Sequence, residues 1–108
     1  MNRVLKIFAN DVIVDHKGVS AMINSACSHE RAMKVTGCCR QNDIIMVMLE
    51  EISAPAQAIQ YVIAPLPEGG ADEIIGEISS RYFAGFTTFG AFEAGNKLWG
   101  LFGHSPAA

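Results

Sequence analysis

The sequence predicts a single α+β domain, a ferredoxin-like β-α-β-β-(β)-α-β-β sandwich in which an antiparallel sheet carries two helices on one face. Apolar residues recur with helical spacing in two segments. Between turn residues they alternate, or run without a break, over short segments that are typical of strands. The chain has 108 residues, which is enough for one domain. We assign residues 1–104 to that domain and residues 105–108 to a flexible tail.

The first half of the chain is predicted to form a strand, a helix and another strand. Residues 3–9 are a short β-like run, and residues 10–14 either extend it or cross to the first helix. A stripe of apolar residues at helical spacing then predicts a helix over residues 16–29, with Asp15 as its N-terminal cap. Over residues 32–40 apolar and polar side chains alternate, which indicates a strand with one solvated face.

The most apolar segment of the chain is Ile44 to Leu49. A polar turn at 41–43 precedes it, and Glu50-Glu51 ends it. Its six apolar residues show no alternation, and this pattern is typical of a strand that is buried on both faces. We therefore expect a central strand, covered by helices on one side and by another subunit on the other.

The second half is predicted to contain a strand, a helix and a β-hairpin. The strand spans residues 57–65 and is stopped by prolines. Acidic residues open the helix at 71–82, where they complement its dipole. The hairpin spans 86–102, with a glycine-containing turn at 93–96. The two halves show no internal sequence repeat.

The composition favours self-association and argues against several other partners. Apolar residues make up 50% of the chain and charged residues 18%, below the usual quarter, so we expect a homo-oligomer, either a dimer or a trimer. The net charge is −3 and the basic residues are dispersed, which argues against nucleic-acid binding. No apolar run is long enough for a membrane span. Three cysteines without an export signal indicate a cytoplasmic protein.

The metal-ligating residues lack the spacing of a known metal site. The candidates are Cys27, His29, Cys38, Cys39 and His104. None of them forms a C-x₂-C or H-x₃-H pair, so we assign neither a metal nor a cofactor. Cys38 could act as a nucleophile because Arg40 lies close by in sequence and favours a thiolate. Cys38, His29 and Arg40 are therefore the candidate reactive groups of an enzyme.

A weak ligand site and an interface can also be proposed from the sequence. Gly69-Gly70 leads into a helix N-terminus, where backbone N–H groups bind anions. Together with Arg40 and Trp99 it could hold a small anionic ligand. The segment from Tyr82 to Phe102 is dense in aromatic residues, and alternation cannot bury all of them on one face. The predicted interface residues are Met46, Met48, Phe89, Phe92 and Trp99.

The predicted element order is similar in architecture to the PII signalling proteins. That group assembles as trimers, with effectors bound in clefts between subunits. Its nucleotide-binding glycine-lysine signature is not found in this sequence, so the resemblance concerns architecture only. The leading hypothesis is a non-enzymatic, homo-oligomeric small-molecule-binding or regulatory domain. The alternatives are a small ferredoxin-like enzyme with an intersubunit or helix–sheet pocket, and a structural or partner-binding subunit.

Overall fold

The computed structural model describes residues 2–27, 33–52 and 59–104. The elements follow one another in the predicted order and confirm the α+β class. They are β1 (Asn2–Phe8), α1 (Ala9–Ala26), β2 (Met33–Gln41), β3 (Ile44–Glu51), β4 (Gln60–Pro65), α2 (Ala71–Phe83), β5 (Phe86–Ala94) and β6 (Lys97–His104). Among the described residues, no helix is long and apolar enough to cross a membrane. The predicted tail and His29 lie outside these residues.

The strands form two antiparallel three-stranded sheets. Sheet A has the order β1-β3-β2 and sheet B the order β4-β6-β5. A ferredoxin-like order would place the strands in one sheet, and the described strands do not show it. The edge strands β2 and β5 lie side by side where the two sheets meet. Each carries a bulge, Val35/Gly37 in β2 and Thr88/Gly90 in β5, and bulges bend a strand and disrupt regular pairing.

The first helix begins at Ala9, seven residues before the predicted start. Val12 is fully buried, so helical winding of this β-branched segment buries an apolar side chain that propensity alone would place in a strand. The helix breaks at Asp15, whose φ and ψ are −153° and 71°. The Asp15 carboxylate accepts a hydrogen bond of 3.0 Å from the Gly18 backbone N–H. Asp15 therefore caps the longer segment, as its position in the sequence predicted.

The two helices lie on opposite faces of sheet B. The buried side chains of α1, among them Val12, Val19 and Ile23, share one continuous core with the facing sides of sheets A and B. On the other face of sheet B, Ile74 and Ile78 of α2 pack in a second cluster around Phe102. The layers are thus sheet A, α1, sheet B and α2, whereas both helices were expected on one face of a single sheet.

Strand β3 is the central strand of sheet A, as predicted, and one of its faces is buried. Ile45, Val47 and Leu49 are 0–1% exposed. On the opposite face Met46 is half-buried and Met48 is 37% exposed. The expected burial on both faces is therefore not achieved within one chain, because in the described part of the chain no element covers the second face.

The two halves of the chain share one topology. Each half is a β-α-β-β unit whose last strand lies in the middle of its sheet. Met33 and Phe86, which begin β2 and β5, are 53 residues apart, and so are Ile44 and Lys97, which begin β3 and β6. The bulges obey the same spacing and contain the glycines Gly37 and Gly90. The repeat is therefore visible in the structure, although the sequence shows no internal repeat.

Candidate functional site

An extended apolar surface of the described residues lies on the side of sheet A that faces away from α1. Strand register places Val4 beside Met48, Phe8 beside Ile44, and both Lys6 and Cys39 beside Met46. Phe8 is 60% exposed, and Val4 and Met48 are exposed as well. We call this surface the outer face; it consists of Val4, Lys6, Phe8, Cys39, Ile44, Met46 and Met48. Single exposed apolar residues are common, but a contiguous patch indicates an interaction surface.

A shallow depression of about 470 Å³ adjoins the outer face at one end. Its lining is Arg3, Val4, Thr36, Met48, Leu49 and Glu50. Lys34 pairs in register with Glu50 across the neighbouring strands. The outer face is therefore an apolar strip with basic side chains at Lys6 and Lys34 and one carboxylate at its end.

The cysteines do not have the environment of a catalytic thiol. Burial, and to a smaller extent the neighbouring Cys39, raises the pKa of Cys38 to about 11. Burial also raises the pKa of Cys27 to about 11. A nucleophilic cysteine needs a lowered pKa, because the thiolate is the reactive form. Cys39 is exposed and lies on the outer face.

The guanidinium of Arg40 is engaged with the backbone. It donates one hydrogen bond to the carbonyl of Asn42 and another to the carbonyl of Glu93, which links the β2–β3 turn to β5. Arg40 thus has a structural role at the junction of the two sheets. In the described residues, no three His, Cys, Asp or Glu side chains come together in a group that could hold a metal ion.

The predicted ligand residues do not converge on one pocket. The backbone N–H of Gly70 already donates to the Glu73 carboxylate at 2.9 Å, so an anion beside Gly69 would meet a negative charge. Trp99 is 6% exposed, its indole N–H donates to the Ala94 carbonyl at 2.9 Å, and its ring lies 5.2 Å from that of His16. None of the depressions described here is lined by Arg40, Gly69, Gly70 or Trp99.

The predicted interface residues separate into two groups. Met46 and Met48 lie together on the outer face. Phe92 and Trp99 belong to the core between the sheets, and Phe89 packs there against the ring of Tyr61 at 5.6 Å. The hairpin aromatics can be buried on either side because helices and strands cover both faces of sheet B. Sequence reasoning did not identify Val4 and Phe8, since β1 is apolar on both faces and shows no clear alternation.

A second surface feature lies between the C-terminal end of α2 and the start of β5. It is a cleft of about 390 Å³. Aromatic rings and hydroxyl groups line it: Ile78, Ser79, Tyr82, Phe83, Phe86, Thr87 and Thr88. Phe83 is 87% exposed and Tyr82 is exposed too. These two are the aromatic residues of the segment that face away from the core.

Comparison with known proteins identifies no relative of this fold. The chain matches no protein-family model, no curated protein and no solved structure.

Proposed function

We propose that this protein is a non-enzymatic, homo-oligomeric binding module that associates through the outer face of sheet A. The observation that carries the proposal is the continuous apolar strip formed by Val4, Phe8, Ile44, Met46 and Met48. Covering such a surface is favourable by about 25 cal/mol for each Å² of apolar area removed from water. Methionine side chains adapt their shape to a partner surface, which suits them to this position.

The state of the thiols supports a binding role over the enzyme alternative. Cys38 was the strongest candidate nucleophile, and burial keeps its thiol protonated at neutral pH. Arg40, the group expected to activate it, is held by the carbonyls of Asn42 and Glu93. The three cysteines are free, which fits a reducing cytoplasm, the compartment we propose.

The small-molecule part of the proposal rests on the cleft between α2 and β5. Its rings and hydroxyl groups suit an aromatic or aliphatic molecule that carries a hydrogen-bonding group. Its volume of about 390 Å³ lies within the range of ligand pockets. Thr87→Trp, which fills the cleft, should reduce binding of the aromatic, anionic dye anilinonaphthalene sulfonate. Ala91→Trp, at an exposed site on the same strand, serves as the control; equal dye binding by both variants argues against this site.

Light scattering coupled to size exclusion tests the association. We expect the wild-type chain to elute with a mass above 11.6 kDa. Met48→Glu places a charge on the apolar strip, beside Val4, and should shift the protein toward the monomer. Val14→Glu makes the same kind of change at an exposed apolar residue on α1, away from the outer face, and should leave the mass unchanged. Circular dichroism confirms that both variants are folded. A Met48→Glu variant with the wild-type mass would exclude the outer face.

A further inference from the structure

Among the described residues, the layered fold ends in two different surfaces that no other element covers. On one side is the outer face of sheet A, and on the other is the solvent-facing side of α2. That side of the helix exposes Ile75, Tyr82 and Phe83. Tyr82 and Phe83 also line the cleft, so a partner docked on this side would border the cleft. An uncovered sheet face and an uncovered helix face are the two surfaces that pack together in a sheet–helix layer. The chain thus presents complementary surfaces at opposite ends of its layers.

The internal structural repeat indicates which kind of element would cover the outer face. With the spacing of 53 residues, Met46 corresponds to Trp99 and Met48 to Leu101. Trp99 and Leu101 are buried at 6% and 0% exposure, in the core that contains α1. The face of sheet B that is equivalent to the outer face is therefore covered within the chain, whereas no described element covers the outer face itself.

Helix α1 shows how a helix covers that face of sheet B. The ring of His16 contacts Trp99, and Ser20 and Asn24 reach the edge strand β4. The Ser20 hydroxyl accepts from the Ile63 N–H at 2.9 Å, and the Asn24 side chain pairs with both backbone groups of Tyr61. In sheet A, β1 occupies the position equivalent to β4. In the described chain no helix occupies the corresponding place on the outer face.

The shape and charge of helix α2 suit it to cover the outer face of a second copy of the chain. Gly76 lies on its exposed side with open space around it, so another backbone can approach closely. Asp72 and Glu73 are acidic and exposed at its start, while Lys6 and Lys34 are basic and exposed on sheet A. A two-fold pairing of outer faces would join two surfaces that each carry two basic residues and one carboxylate, Glu50, and so would lack this charge complementarity.

We propose that copies of this chain associate head to tail, with the exposed side of α2 in one copy docked on the outer face of sheet A in the next. The inference rests on the self-association proposed above and specifies its geometry. Such an interface joins two different surfaces. A dimer joined in this way still has one free outer face and one free α2 surface. Further copies can therefore add until the assembly closes into a ring or extends into a filament.

Two variants, each with one damaged surface, test the geometry. Met48→Glu damages the outer face, and Phe83→Glu damages α2 at a residue that is 87% exposed, so its folding should be unaffected. Val14→Glu on α1 is the matched control. Native mass spectrometry resolves the two variants by mass and counts the copies of each in any complex. Circular dichroism shows that each chain is folded.

Head-to-tail docking predicts that each of the two variants alone is monomeric. Their equimolar mixture should form a complex of one copy of each, because the intact α2 of Met48→Glu docks on the intact outer face of Phe83→Glu. The account is overturned if Phe83→Glu keeps the wild-type assembly, or if both variants and their mixture stay monomeric while the wild type assembles. A monomeric wild-type chain would refute self-association as a whole. This result differs from a failure of the head-to-tail geometry alone, in which the wild type still assembles.

Discussion

The hydroxyl of Tyr61 accepts a hydrogen bond of 3.0 Å from the backbone N–H of Val35, and this bond joins sheet B to sheet A. Val35 lies next to the bulge of β2, where the regular pairing shifts. Both residues are about 1% exposed. The tyrosine thus satisfies a buried backbone donor that has no strand partner on that side. Burial raises the pKa of the Tyr61 phenol, as expected for a hydroxyl in the core.

Tyr61→Phe should lower the free energy of unfolding by about 1–3 kcal/mol, because it leaves the N–H of Val35 buried and unsatisfied. Urea denaturation followed by circular dichroism measures the loss. Tyr82→Phe removes a hydroxyl from an exposed tyrosine and should leave the stability nearly unchanged. Equal stability of the two variants would show that this bond contributes little to joining the sheets.

The glycines of the two bulges should respond differently to the same substitution. A Cβ on Gly90 would lie 2.7 Å from the Sγ of Cys38 and 3.4 Å from its backbone N and O, so Gly90→Ala should destabilise the fold by about 1–3 kcal/mol. At Gly37 the nearest atom is the flexible end of Met48, at 3.4 Å. Gly37→Ala should therefore cost much less in the same urea experiment. A reversed order would mean that β2 and β5 do not approach as described.

The stability of the fold should decline in alkaline solution. The pKa of Cys38 is about 11 in the folded chain and 9.0 is its ordinary value, so the unfolded chain releases the thiol proton first. The stabilising contribution is fully present below pH 9 and is lost as the pH rises through about 11. Cys38→Ala should show a shallower decline of melting temperature between pH 9 and 11 than Ser79→Ala, an exposed control. Identical slopes contradict this assignment.

Cys39 offers a native probe of the proposed interface. It lies on the outer face beside Met46 and is exposed in the single chain. Iodoacetamide should modify it slowly at high protein concentration, where association covers the outer face, and faster on dilution. In Met48→Glu its rate should be high at both concentrations. Peptide mass spectrometry separates it from Cys27 and Cys38. A rate at Cys39 that does not depend on concentration would speak against burial of this face.

Local features of the fold followed from the sequence, and long-range ones did not. The cap at Asp15 could be predicted because it depends on residues within one helical turn. The hairpin turn could be predicted as well, since Gly95 and Asn96 both have the positive φ that a two-residue turn requires. The early start of α1 could not, because it depends on the burial of Val12 by distant strands.

For the candidate site, too, local features could be predicted from the sequence and long-range contacts could not. Met46 and Met48 were identified from the uninterrupted apolar run of β3, which does carry an open apolar face. Trp99 was assigned both to a ligand site and to an interface, yet it lies in the core. Alternation gives the face of a strand on which a side chain lies. It does not tell whether a helix from the other half of the chain covers that face, as α1 covers sheet B.

Sedimentation equilibrium of the wild-type chain over a wide concentration range tests the central claim most directly. The claim is that the outer face of sheet A is covered by another copy of the chain. We expect a weight-average mass that is well above 11.6 kDa at high concentration and falls toward 11.6 kDa on dilution. A mass of 11.6 kDa at every concentration would contradict the claim.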